Sequence, residues 1–137
     1  MTRQITFAFE RQPSPLFGAV YRPVALAEFW SQKITGWVRV AMLVDTGADY
    51  TLLPNVYASH LGVRLDRDAK AFQTMGIGGS ERVYLVQRWP MRLGPWQREI
   101  PLGFLTRNDV PPLLGRHACL DTFKLTLFQH STTFANH

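Results

Sequence analysis

Asp45 is the residue in this chain whose position calls for chemistry. The largely apolar stretch of residues 38–44 runs straight into it, and Thr46, Gly47, Ala48 and a second acid, Asp49, follow before apolar residues resume at Thr51-Leu52-Leu53-Pro54. Aspartate is seldom buried without a partner, so a strand that ends on one either pairs it or uses it. A carboxylate here can take a proton from water. Thr46 adds a hydroxyl that can hydrogen-bond and lock the loop. Gly47 lets the backbone turn sharply and approach its neighbours. The plainer alternative is a polar turn after a strand, with Asp45 as an ordinary turn residue.

Two further segments bear on the same chemistry. Residues 72–86 form two strand-like arms around Gly76-Ile77-Gly78-Gly79. This is a β-hairpin with a glycine-rich turn. It lacks the lysine and spacing of a P-loop and the fingerprint of a dinucleotide site, so it is no phosphate cradle. Further on, Leu113-Leu114-Gly115-Arg116 follows the stiff pair Pro111-Pro112. His117 and Cys119 suggest a thiol and an imidazole, but two residues apart on a helical turn they face different ways.

Taken together these segments resemble the retropepsin-like aspartic proteases. The loop Asp45-Thr46-Gly47-Ala48-Asp49 is similar to their active-site loop, Gly76-Ile77-Gly78-Gly79 to their flap, and Leu113-Leu114-Gly115-Arg116 to the strand that packs across the loop. The order and spacing are compatible over most of the chain. Ser80 stands where a bulkier apolar residue often follows the flap glycines, and His117 stands where retroviral members usually have Asn or Asp. The segment before Asp45 is longer than in the viral enzymes and in this respect looks like the stand-alone bacterial relatives.

The resemblance implies an all-β fold: a closed acid-protease barrel with a flap hairpin and one or two short helices, as one domain spanning residues 1–137. It implies a catalytic group of Asp45, Thr46 and Gly47. Asp49, Gly76, Ile77, Gly78 and Gly79 are its substrate-binding and flap residues, and Ile77 is the apolar tip. Arg116 becomes a structural brace that pairs with Asp49, as an arginine fork suits a partly buried carboxylate. In such proteins two aspartates share one proton, because like charges so close cannot both ionise. The chain has a single Asp-Thr-Gly, since Asp121-Thr122 continues with Phe123. A two-lobed protein with both aspartates in one chain needs roughly twice this length. The second Asp45 is therefore expected from a second copy, in a two-fold homodimer. The terminal strands, residues 5–9 and 123–128, are the expected inter-subunit sheet. The implied activity is peptide-bond hydrolysis with no metal and no organic cofactor. The same fold can also hold a peptide or protein without turning it over.

Composition is compatible with this and narrows it. The chain has 137 residues, 46% hydrophobic and 18% charged, enough for one core. No apolar run approaches the roughly 20 residues of a membrane span, and the N-terminus lacks the apolar core of a signal peptide. The lone Cys119 allows no internal disulfide, which fits a cytoplasmic location. The net charge of +5 raises nucleic acid as a partner. The arginines are spread along the chain without a cluster, so a solvated basic surface is the favoured reading.

Several elements must position the site. Alternation predicts strands at residues 5–10, 37–44, 88–93, 96–105 and 122–128. Residues 11–15 read as a break, and residues 20–30 as a further extended stretch. A short helix over residues 54–61 starts at Pro54 and stops at Gly62. His60 lies in it as a packing or surface residue. Residues 117–121 read as one or two helical turns. The polar tail, residues 129–137, has one apolar anchor, Phe134; a strand and a frayed end are both open.

Overall fold

The computed structural model describes residues 3–76 and 79–136. In chain order the strands are β1 (Gln4–Ala8), β2 (Glu10–Ser14), β3 (Gly18–Arg22), β4 (Val24–Ser31), β5 (Gly36–Val44) and β6 (Thr51–Leu53). The helices α1 (Val56–Leu61) and α2 (Leu65–Asp68) follow. Then come β7 (Lys70–Gly76), β8 (Gly79–Leu93), β9 (Trp96–Leu105), β10 (Leu113–Leu114), a 3-10 turn at Leu120–Thr122, β11 (Lys124–Phe128) and β12 (Ser131–Ala135). The fold is all-β, as expected. No described helix is long and apolar enough to cross a membrane.

Seven strands pair in the order β4-β5-β10-β6-β9-β8-β7, and β4 also pairs with β8. That last pairing, Glu28↔Arg92 and Phe29↔Met91, closes six of the seven strands into a ring and leaves β7 outside it. The inward side is apolar by alternation. Ala25, Ala27 and Phe29 of β4 and Val40, Met42 and Val44 of β5 are buried, against Leu53, Met91, Leu93, Ile100, Leu102, Phe104 and Leu114. Burying each of the large side chains is worth about 1.5–3 kcal/mol, so the ring interior is the main source of stability.

One strand serves two regions. β8 carries a bulge, with Gln87 and Arg88 between the pairs Val86↔Leu102 and Trp89↔Ile100. A bulge bends and twists a strand. The first half of β8 pairs with β7 as a projecting hairpin, with register Lys70↔Leu85 to Gly76↔Gly79. The second half returns to close on β4. Trp89 donates its indole N–H to the Trp30 carbonyl at 2.8 Å and pins that return.

Helix α1 begins after Pro54 and ends at Gly62, whose φ of 73° suits glycine, as the sequence predicts. Its first free N–H, that of Val56, is capped by Asn108 Oδ1 at 2.7 Å. The one-turn α2 was not anticipated. Asp68 caps it by accepting the Arg64 N–H at 2.9 Å. That bond and the Arg67 side chain hold the exposed Asp68 carboxyl below its usual range.

The terminal strands are already paired within one chain. β1 and β11 both pair antiparallel with β12 inside the same chain, giving a three-stranded sheet. The polar tail is thus its central strand, with Phe134 fully buried and stacked edge-on against Phe7 and Phe123. The strands expected to meet across two chains meet here through β12, because residues 131–135 supply the missing ladder partner. Residues 11–14, expected as part of a break, belong to β2, which pairs with β3 as a separate two-stranded sheet.

Candidate active site

The Asp45 loop is built between the strands that enter and leave it. β5 delivers Asp45 and β6 carries the chain away. The two-residue β10 lies between them, parallel to β5 (Leu114↔Val44) and antiparallel to β6 (Leu113↔Leu52). The ladder continues past Val44, because the Asp45 N–H donates to the Leu114 carbonyl at 3.1 Å.

Within the loop the carboxylate is oriented by backbone. The Gly47 N–H donates to Asp45 Oδ1 at 2.9 Å. The Ala48 N–H donates to the Asp45 carbonyl at 3.2 Å, closing a turn. Among the described residues nothing donates to Oδ2, and Asp45 is only half-buried. Thr46 and Gly47 are exposed. The side chain is therefore held through one oxygen, and the other has no donor among the described residues.

The far side of the loop is clamped by the segment after β10. The Arg116 N–H donates to the Ala48 carbonyl at 2.9 Å, and the His117 N–H to the Asp49 carbonyl at 2.8 Å. The Gly115 N–H donates to the hydroxyl of the fully buried Thr51 at 3.1 Å. Gly115 must be glycine, since a Cβ there would fall on the Tyr50 backbone carbonyl. Two residues of this lock, Thr51 and Gly115, were not singled out as functional in the sequence. Gly115 stood inside a quoted motif, and Thr51 gave only the weak signal of a hydroxyl among leucines.

The expected ion pair between Arg116 and Asp49 is absent among the described residues. Arg116 Nε instead lies 3.2 Å from Asp121 Oδ1, an exposed pair. The reason is local: the 3-10 turn brings Asp121 back, and the Asp121 N–H donates to the Arg116 carbonyl at 2.9 Å. The segment still holds the loop, but with its main chain. Burial first, and then the charge of the exposed Asp49, push the Tyr50 hydroxyl above its ordinary range.

Cys119 is buried and His117 exposed, so no thiol–imidazole pair forms. Burial pushes the Cys119 thiol up to about 12, which leaves it protonated and inert. The β7–β8 hairpin stands where a flap was expected. Gly76 and Gly79 pair at its end, and Ile77 and Gly78 lie outside the described residues. Its outer half is tethered by Glu81 Oε1, which Arg107 Nε meets at 3.0 Å.

A cavity of about 700 Å³ is lined by Asp49 and Tyr50, Arg88 and Pro101, and Arg116 and His117. Asp45 does not line it.

Comparison with known proteins agrees with this fold. The fold is similar to the crystal structure of a retropepsin-like aspartic protease from Rickettsia conorii, with a TM-score of 0.69 and 18% identity, over 96% of this chain and 98% of that one. No curated protein matches the chain. The profile of the gag-polyprotein putative aspartyl proteases matches residues 31–118, from the end of β4 through the loop, the hairpin and β10 to Ala118. With more than half of its length matched, the chain belongs to this retropepsin-like aspartic protease family.

Proposed function

We propose that the protein is a homodimeric aspartic endopeptidase in which two copies of Asp45 share one site, residues 1–137 acting as a single domain. The observation that carries this reading is the carboxylate itself. It is held by the Gly47 N–H through Oδ1, Oδ2 is free, and it sits on a loop locked from both sides. One such carboxylate per chain is half of a dyad, and a two-fold axis beside Asp45 supplies the other.

In this reading an extended peptide lies across both loops and beneath the two β7–β8 hairpins. Asp49 and the flap glycines, Gly76, Gly78 and Gly79, meet its backbone, and Ile77 covers it. One Asp45 carboxylate takes a proton from the water between them. The water oxygen bonds to the peptide carbonyl carbon, whose oxygen accepts a hydrogen bond from the other, protonated Asp45. The C–N bond then breaks and the nitrogen leaves with a proton. Thr46 and Gly47 hold the pair in register. The chemistry calls on no metal or cofactor.

The test is cleavage of a diverse peptide pool from about pH 4 to about pH 7.5, beside Asp45→Asn. We expect cuts between apolar residues, a pH profile with two limbs, and a rate per chain that rises with protein concentration. Asp45→Asn should lower the rate by at least about a hundredfold. A folded, dimeric wild type that cuts nothing would replace turnover with peptide binding.

A further inference from the structure

Among the described residues, the β2–β3 hairpin forms a sheet that joins neither the seven-stranded sheet nor the terminal one. Its two strands pair only with each other, from Glu10↔Arg22 to Ser14↔Gly18. A groove of about 510 Å³ separates Gln12 and Arg22 from Leu43 and Pro112 of the ring. A lone two-stranded hairpin is at best marginally stable in water. This one is nevertheless well defined at both ends.

At its root, the Tyr21 ring stacks on His130 at 4.2 Å and 10°, and Phe9 stacks on the same imidazole at 5.7 Å. At its tip, Ser14 Oγ accepts the N–H groups of Leu16 (3.3 Å) and Phe17 (3.1 Å). Gly18 completes the turn at a φ of 77°. The product of this ordering is an apolar pair held out to solvent, Leu16 at 78% and Phe17 at 72% exposure. Ordering a turn to display two large apolar side chains is costly unless something covers them.

The root also fixes where the hairpin can reach. Immediately after it, the Pro23 carbonyl accepts the Val44 N–H at 2.8 Å, one residue before Asp45. Any two-fold axis that brings two Asp45 carboxylates together passes close to this root. Five extended residues span about 17 Å, more than enough to cross such an axis. We infer that the β2–β3 hairpin is an arm that docks on a second copy of this chain, with Leu16 and Phe17 as its apolar anchor. By two-fold symmetry each chain gives one arm and receives one. The inference rests on the dimeric reading above and adds to it the element that holds the dimer.

The experiment compares wild type with the double variant Leu16→Ser, Phe17→Ser by sedimentation equilibrium over a wide concentration range, with peptide cleavage in parallel. Both residues are exposed, so circular dichroism should not change. We expect the monomer–dimer dissociation constant to rise at least tenfold. Where cleavage is seen, it should fall at low concentration and recover when the variant is concentrated into dimer. An unchanged constant overturns the arm while leaving the dimeric protease intact. An unchanged constant with slower cleavage of long substrates also overturns it, and assigns the arm to substrate. A wild type that stays monomeric at every concentration overturns the dimeric reading itself, and the arm with it.

Discussion

The Asp45 loop and the β2–β3 arm are both short, polar-tolerant segments attached to the same end of β5, and they are held in opposite ways. The loop is surrounded by backbone: β10 on one side, the main chain of residues 115–117 on the other, and a buried Thr51 hydroxyl beneath. The arm is fixed only at its root and within its own turn. Precision is reached through main-chain hydrogen bonds and close approach, which leave a side chain few alternatives. Reach is obtained by withholding those contacts. The difference between the two is measurable, because substitutions in the loop should cost folding free energy and those in the arm should not.

The largest effect is expected at Gly115→Ala. The new Cβ collides with the Tyr50 backbone rather than with a flexible side chain, so the loop and β10 must part, at about 3 kcal/mol or more. Urea denaturation would read this as a lower midpoint. Thr51→Val keeps shape but strands the buried Gly115 N–H, and should cost about 1–3 kcal/mol by the same measurement.

Cys119, behind Thr51, adds a pH-dependent case. Its thiol is pushed up to about 12 because burial disfavours the thiolate. The fold therefore prefers the neutral form. The stabilisation is complete below the ordinary thiol pKa near 9 and is lost as pH rises from there toward 12. Unfolding midpoints should fall through that window in wild type and less steeply in Cys119→Ala. Arg116→Gln removes only an exposed pair with Asp121, each partner 54% exposed, so it should cost less than about 1 kcal/mol. A larger loss would mean that the side chain, and not just the main chain, braces the loop. The smallest effect on monomer stability, within about 0.5 kcal/mol, is expected for Leu16→Ser and Phe17→Ser in the arm. A larger one would show the tip to be packed within its own chain.

Much of the fold was legible because it follows from local pattern. The alternation in residues 37–44 and 96–105 and the breaks at Pro54, Gly62 and Gly94 correspond to β5, β9 and the boundaries around them. Asp45 could be singled out because it ends an apolar strand. What was not legible depends on partners remote in sequence. Arg11-Gln12-Pro13-Ser14-Pro15 reads as a break because Pro cannot donate to a ladder. In a two-stranded sheet one edge of each strand needs no donor, and Pro13 fits there opposite Ala19. Ser131-Thr132-Thr133 leaves a strand and a frayed end both open by pattern, and β12 is central because both neighbouring strands need its backbone. Arg116 had two carboxylates to choose from, and a motif does not record which one a rotamer reaches.

The position of β10 also sets an order in time. Residues 113–117 lie some 70 residues after Asp45, yet they supply the rung that continues β5 and both bonds that hold the far side of the loop. During synthesis the chain emerges N-terminus first. Asp45, β6, α1 and the whole β7–β8 hairpin leave the ribosome before the segment that locks them. A nascent chain shorter than about 117 residues thus carries every acid of the loop in an unbraced form. If the mature dimer cuts peptides, its makers are shielded while it is being made, by the lateness of one two-residue strand.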